Sequence, residues 1–178
     1  MKRIMIIGIC GAGKSTLARQ LHAKLGLELI HLDQHYWQPN WVEPTKEAWA
    51  NTVKDLVKRD VWIMDGNFGR TMDIRLERAD TIIYLNFPTW LCLWRVLKRV
   101  IQYNGTTRPD MTEGCPERWD IGFLWYILMF KHRIGRRDLK KINTLRGEKT
   151  VYILKNDREV EGFLKDITPS VFDNILGI

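Results

Sequence analysis

The chain has 178 residues, of which 45% are hydrophobic and 28% charged, and this composition is typical of a globular domain that can bury a core. Its three cysteines, an odd number without C-x-x-C spacing, indicate a reducing compartment, so we expect a cytoplasmic protein. The apolar stretch 121–130 is far shorter than the ~20 residues of a membrane span, and no membrane partner is expected.

The net charge of +7 is concentrated in one part of the chain. Residues 95–149 hold 13 Lys and Arg against 6 Asp and Glu, whereas the segments on either side nearly balance. Such a segment is typical of a polyanion-binding surface or of an arm that grips phosphate. Net charge alone predicts weak, non-specific nucleic-acid binding at low salt.

The first predicted elements are a strand over residues 3–7 and a helix over 14–25, and between them residues 8–15 read Gly-Ile-Cys-Gly-Ala-Gly-Lys-Ser. This is the phosphate-loop pattern G-x-x-x-x-G-K-[ST], in which backbone N–H groups and the helix N-terminus hold the phosphates of ATP. The lysine reaches the β- and γ-phosphates and the serine hydroxyl binds Mg²⁺. The residues predicted to bind the nucleotide are Gly8, Gly11, Ala12, Gly13, Lys14, Ser15 and Thr16.

A second strand is predicted over residues 28–32, ending at Asp33, and is followed by an arm over about 34–60. Asp33 suits a proton acceptor for a substrate hydroxyl, or a group that holds the acceptor, but a loop-capping aspartate has the same pattern. Trp37 and Trp41 either stack on a ring of the acceptor or pack as ordinary hydrophobic residues. Within the arm, Thr45 is the predicted N-cap of a helix that runs to about Lys58.

A third strand over residues 61–64 ends at Asp65 and Gly66. A carboxylate at the end of a buried strand is the partner that Mg²⁺ needs beside the Ser15 hydroxyl, although Asp65 also suits a turn. We therefore predict Ser15 and Asp65 as metal ligands. His31, Asp33 and His35 alternate along the chain, but without further ligands they do not make a convincing histidine metal site.

The remaining elements continue the alternation of strands and helices. We predict a helix over 71–78, a strand over 81–85, a helix from Pro88 to 102, a turn-rich lid over about 103–120, a helix over 119–145 and a strand over 150–154. Asp157 is the predicted cap of a helix to 165, and a short helix is expected after Pro169. Such alternation predicts a parallel sheet covered on both faces, with the ligand at the carboxyl ends of the strands.

Arginines occur in sets on both sides of the lid. Arg95 and Arg99 share one helix face, and Arg133 and Arg137 follow the lid. Arginine grips phosphate oxygens in a bidentate manner, so these four are predicted catalytic residues together with Lys14 and Asp33. The alternative is a solvated basic helix face.

These motifs resemble those of the P-loop kinases of the adenylate kinase and shikimate kinase type, and more closely the bacterial DNA topology modulation proteins. The resemblance covers most of residues 1–130 and includes the segments 8–16, 31–33, 65–71, 79–83, 90–95 and 106–111. It implies the three-layer α/β fold of P-loop NTPases, with a five-stranded parallel sheet of order 2-3-1-4-5 and a helical lid. The Asp-Gly-x-x-Arg turn of adenylate kinases is similar to the turn here, with Arg70 one residue late.

We therefore expect a single domain over residues 1–178 that moves the γ-phosphoryl group of Mg-ATP to an unidentified small-molecule acceptor. The residues expected to contact the acceptor are Asp33, Trp37, Asp65, Gly66, Asn67 and Arg70. The alternative is an ATP-switched regulator of DNA topology with segment 95–149 as its nucleic-acid surface, although the sequence contains no recognisable reading motif for DNA.

Overall fold

The computed structural model describes residues 1–167, and the short helix predicted after Pro169 lies outside this range. Five parallel strands form one sheet in the order β2-β3-β1-β4-β5, as the resemblance implies. The strands are β1 (Arg3–Gly8), β2 (Leu29–His31), β3 (Trp62–Asp65), β4 (Thr81–Leu85) and β5 (Thr150–Leu154). The three central strands are almost entirely buried, because helices cover both faces of the sheet.

The helices divide between the two faces. They are α1 (Lys14–Leu25), α2 (Leu32–Tyr36), α3 (Lys46–Leu56), α4 (Met72–Arg78), α5 (Thr89–Tyr103), α6 (Ile121–Phe130), α7 (Arg136–Thr144) and α8 (Asp157–Asp166). One core cluster contains buried side chains of α1, α5, α6 and α8, and the other contains side chains of α3, α4 and α7. Within the described residues no helix has the length and apolar character required to cross a bilayer.

The second strand is shorter than predicted. It ends at His31, which pairs in register with Asp65, the last residue of β3. Because β3 offers no further partner, the chain turns at Leu32 into the short helix α2. Asp33 therefore lies in the first turn of a helix and not at the end of a strand.

The long helix predicted after the lid is interrupted. Helix α6 ends at Phe130, and a π-helical turn over Lys131–Gly135 precedes α7. Gly135 lies so close to β4 that a Cβ atom there would be 3.1 Å from the Tyr84 hydroxyl oxygen. The wider turn thus permits a close approach to the sheet before α7 begins.

Two predicted helix caps have different outcomes. The Thr45 hydroxyl accepts a hydrogen bond from the Ala48 N–H at 3.1 Å, which confirms that cap. The predicted cap Asp157 is wrong by one residue, because Asn156 Oδ1 accepts from the Glu159 N–H at 2.9 Å. Asp157 is the first residue of α8.

A fully buried arginine holds the loop between β3 and α4. The Arg75 guanidinium donates to the carbonyl oxygens of Gly66 at 2.8 Å, Asn67 at 2.5 Å and Phe68 at 3.1 Å. Burial lowers the pKa of Arg75 to about 9, while nearby Asp138 acts in the opposite direction, so the guanidinium remains charged at neutral pH. The loop begins directly after Asp65, and Arg75 therefore fixes the backbone at the carboxyl end of β3.

We expect the substitution Arg75→Leu to lower the free energy of unfolding by about 3 kcal/mol, because three carbonyl groups lose a charged donor. Chemical denaturation monitored by circular dichroism measures this change. Arg158→Leu, at an exposed position of α8, is the matched control and should shift the free energy by less than about 0.5 kcal/mol. Equal denaturation midpoints for Arg75→Leu and the parent would contradict the assigned role.

Candidate active site

The phosphate loop forms one wall of a cavity of about 1480 Å³, which is lined by Cys10 and residues 11–16, among others. The loop packs tightly: a Cβ atom on Gly8 or Gly11 would lie 2.3 Å from the carbonyl oxygen of Leu85 or Cys92 respectively. Gly8 itself packs against β4 and does not line the cavity, in contrast to its predicted contact with the nucleotide. Lys14 Nζ donates to the carbonyl oxygens of Gly8 and Ile9 at 3.1 and 3.2 Å.

The Asp65 carboxylate joins the phosphate loop to the second strand. The Ser15 hydroxyl donates to Oδ2 at 2.6 Å, and His31 Nδ1 donates to Oδ1 at 2.5 Å. Burial lowers the pKa of His31, but the hydrogen bond and the charge of Asp65 outweigh it, and the net shift of the pKa is upward. The partnership of His31 with Asp65 was missed from the sequence, although both are the last residues of strands that the implied sheet order makes neighbours.

The Ser15 hydroxyl and the Asp65 carboxylate are hard oxygen donors of the kind that Mg²⁺ prefers. In the chain up to residue 167, no three His, Cys, Asp or Glu side chains converge as a metal site. Two protein oxygen ligands, with phosphate oxygens and water in the other positions, would be the usual arrangement for Mg²⁺. The donor set fits the predicted ion.

Two further carboxylates lie near this pair. Burial and the charge of Asp65 raise the pKa of Asp33 to about 6, against the opposing effects of Lys14 and Arg108. Burial would also raise the pKa of Asp110, but Arg108 at 3.0 Å and the Ser15 hydroxyl shift it downward. Of these two carboxylates, Asp33 is consequently the one whose pKa lies closer to neutral pH.

Three of the four predicted catalytic arginines line the cavity: Arg95, Arg99 and Arg137. Arg95 pairs with Asp157 at 2.6 Å and Arg99 with Glu117 at 2.8 Å. Arg133 is exposed in the π-helical turn and does not line the cavity, whereas its neighbour Ile134 does.

The predicted acceptor residues are only partly brought together. Trp37, Asp65, Gly66 and Asn67 line the cavity with Asp33. Asn67 Oδ1 accepts from the Gly8 N–H at 3.0 Å, so this side chain holds the start of the phosphate loop. Arg70 is exposed and outside the cavity lining. The guanidinium that donates to the carbonyl oxygens of this loop belongs to Arg75, further along the chain in α4.

An ion-pair network in the predicted lid was also missed. The buried carboxylate of Glu117 accepts from Arg99 and from Arg108, the latter at 2.7 Å, and Arg108 also pairs with Asp110. The sequence offered a signal, because acidic residues are interspersed in the basic segment 95–149. The consequence is that part of the positive charge of that segment is neutralised inside the cavity.

The lid segment is docked on α2 and on the arm that follows it. Gln34 Nε2 donates to the Pro109 carbonyl at 2.9 Å, the Asn40 N–H to that of Gly114 at 2.9 Å, and Trp41 Nε1 to that of Pro116 at 3.1 Å. These contacts join two segments that are about 75 residues apart in the chain. Together they cover one side of the cavity.

Comparison with known proteins gives one distant relative in sequence. No protein-family model matches the chain. A stretch of 106 residues, 58% of the chain, is 28% identical to an uncharacterized protein of Bacillus subtilis (strain 168), YqaC, and the match spans 60% of that protein's length. The resemblance to the DNA topology modulation proteins is not shown by these matches.

The similarity to solved structures is more extensive. Shikimate kinase from Acinetobacter baumannii, in complex with shikimate, has a TM-score of 0.57 at 18% identity, over 99% of this chain and 94% of its own. A gluconokinase from Sinorhizobium meliloti 1021 has a TM-score of 0.53 at 15% identity, with 97% of each chain covered. Deoxyadenosine kinase from M. mycoides has a TM-score of 0.51 at 15% identity, over 98% of this chain and 99% of its own. The chain has the fold of the P-loop kinases.

Proposed function

We propose that the protein is a cytoplasmic Mg-ATP-dependent kinase that transfers the γ-phosphoryl group to a hydroxyl group of a small molecule. The observation that carries this proposal is the hydrogen bond from Ser15 to Asp65 beside Lys14 and Asp33, in one cavity. The three similar structures described above are named as a shikimate kinase, a deoxyadenosine kinase and a gluconokinase. Phosphoryl transfer requires mainly positioning and neutralisation of charge, and this cavity contains groups for both.

The donor end of the site is formed by the phosphate loop. The loop N–H groups and the α1 N-terminus favour the phosphates of ATP, and Lys14 would exchange its present carbonyl partners for phosphate oxygens. When bound by Ser15 and Asp65, Mg²⁺ supplies neutralising charge on the β- and γ-phosphates. His31 holds the Asp65 carboxylate in place from its other oxygen.

The acceptor end is centred on Asp33. In the transfer, the acceptor oxygen forms a bond to the γ-phosphorus while the bond to the β,γ-bridging oxygen breaks and ADP leaves. The proton of the acceptor hydroxyl passes to Asp33, whose raised pKa suits this exchange. Arg95, Arg99 and Arg137 are in the cavity wall, where they would neutralise the charge of the transferring group.

The other function considered from the sequence, an ATP-switched DNA-binding regulator, is not proposed. Arg99 and Arg108 of the basic segment are paired with Glu117 inside the cavity instead of being presented on an open surface. These arginines therefore favour a small ligand in the cleft.

We expect the substitution Lys14→Met to reduce phosphoryl transfer by at least about 100-fold, because a charged donor to the transition state is lost. Transfer is measured as ADP formed from Mg-ATP with a panel of nucleosides, sugars and cyclic polyols. Lys58→Met, at an exposed position, is the matched control, and circular dichroism checks that both variants fold. Undiminished turnover in Lys14→Met, or the absence of a phosphorylated product from every acceptor, would refute the proposed kinase function.

The pH dependence of turnover should show whether Asp33 accepts the proton of the acceptor hydroxyl. Only the ionised carboxylate accepts a proton, and its pKa is raised to about 6, so the rate should fall as the pH is lowered through about 6 and reach a plateau above it. Asp33→Asn should lower the rate by about 100-fold or more and remove this acid limb. Asp60→Asn, at an exposed position, should retain the parent profile. An unchanged profile in Asp33→Asn would show that another group accepts the proton.

A further inference from the structure

Aromatic side chains form the wall of the cavity next to Asp33. They are Tyr36, Trp37, Trp41 and Phe68. Their contacts are edge-on or tilted: Tyr36 to Trp37 at 90°, Trp37 to Trp41 at 72° and Tyr36 to Phe68 at 48° between ring planes. Arg118 covers one face of Trp41 at 5.5 Å, but the rings are not stacked face to face on one another, so flat faces of the other rings remain for a planar ligand.

Carboxylates dominate the charge at this end of the cavity. Asp33, Glu43, Asp65 and Asp110 all line it. Of the two arginines at this end, Arg108 is already bound to two carboxylates, and Arg118 lies over the ring of Trp41 at 5.5 Å. A dianionic phosphate on the acceptor would therefore be repelled, whereas a neutral hydroxyl compound would not.

A polar group is placed at the aromatic wall. The Tyr36 hydroxyl donates to Oε2 of Glu43 at 2.9 Å, and this fixes a carboxylate that can accept further hydrogen bonds. Planar heterocycles with N–H or amino groups are the ligands that match aromatic faces combined with such an acceptor.

We propose that the acceptor is a nucleoside and not its monophosphate, with the base between the aromatic side chains, base N–H groups donating to Glu43, and a sugar hydroxyl directed at Asp33. This inference rests on the proposed kinase function, because it assigns the acceptor of that reaction. It adds the chemical class of the acceptor: a neutral molecule with a planar base.

Binding of nucleosides tests the proposal without turnover. Isothermal titration of the protein with Mg-ADP present should give a nucleoside dissociation constant at least 10-fold below that of the matching 5′-monophosphate and of a cyclic polyol. Trp37→Ala should weaken nucleoside binding by at least 10-fold, and Glu43→Gln should weaken it most for bases that present an amino group. Trp119→Ala, an exposed tryptophan outside the cavity lining, is the matched control.

Two outcomes overturn this assignment: no nucleoside binds, or the monophosphate or the polyol binds as tightly. Failure of the kinase proposal is distinguishable, because nucleosides would then bind but yield no ADP with Mg-ATP. Conversely, phosphoryl transfer to a non-aromatic alcohol without nucleoside binding would support the proposed kinase function and reject the nucleoside as its acceptor.

A second inference concerns the surface of α5 and α6. Trp90, Trp94 and Ile101 on α5, and Ile121, Trp125 and Leu128 on α6, are between 41% and 84% exposed. Spaced three, four or seven residues apart, they form one stripe on each helix. The two helices pack against each other. The side of each helix that faces the protein interior belongs to one core cluster, through Cys92 and Val96 on α5 and Ile127 and Phe130 on α6. We call these six exposed residues the tryptophan face.

The area of the tryptophan face matches a dimer interface. A whole tryptophan side chain has a surface of about 250 Å². The three tryptophans of the face therefore expose roughly 500 Å² between them. With the aliphatic residues the face approaches the ~800 Å² per partner of a standard interface and exceeds the ~300–600 Å² patch of a typical monomer. We propose that a second copy of this chain covers it, since two helix pairs with predominantly apolar stripes can pack as a symmetric four-helix bundle.

Sedimentation of the full chain at micromolar concentration tests the proposal. The parent should be a dimer, and Trp94→Glu and Trp125→Glu should be monomers with unchanged circular dichroism. Lys54→Glu, at an exposed position of α3, whose buried side chains belong to the other core cluster, should remain dimeric. A monomeric parent overturns the proposal, also if it binds vesicles of anionic phospholipid. The proposal is equally overturned if both glutamate variants remain dimers.

Discussion

The site depends on the hydrogen bonds that the Asp65 carboxylate accepts. Its two oxygens accept from Ser15 and His31, so the side chain joins the phosphate loop to the carboxyl ends of β3 and β2. The order β2-β3-β1 makes these ends neighbours, and the parallel register places His31 beside Asp65. A buried carboxylate with two donors needs no rearrangement to present oxygen to a cation.

The loop after Asp65 depends on a second buried charge. Arg75 donates to three successive carbonyl oxygens, while the Asn67 side chain accepts from the Gly8 N–H. The backbone between β3 and α4 is thus tied to the start of the phosphate loop and to α4. The proposed donor and acceptor ends of the cavity are consequently joined by these hydrogen bonds, which suits transfer between two bound molecules.

The other side of the cavity is built by segments that are distant in the chain. The predicted arm and lid meet through hydrogen bonds, and Glu117 and Asp110 neutralise Arg99 and Arg108 between them. A surplus of arginine that appears in the sequence as a basic segment thereby becomes a set of ion pairs. Carboxylates of Asp33, Glu43, Asp65 and Asp110 line the cavity at the proposed acceptor end, and the proposal of a neutral acceptor rests on them.

The sequence determined the elements whose signals are local. The phosphate loop, β4 and β5 at their observed bounds, α1 and the Thr45 cap follow from glycine spacing, apolar runs and capping chemistry over a few residues. Residue patterns also predicted that Asp65 ends a strand beside Ser15.

Only the tertiary structure decided which side chains meet. It placed His31 on Asp65, put Arg75 and not Arg70 at the loop, turned Arg133 outward through the π-helical turn, and paired the lid arginines with Glu117. These contacts join residues on different elements, so their geometry depends on strand register and helix packing, and no local pattern contains that information.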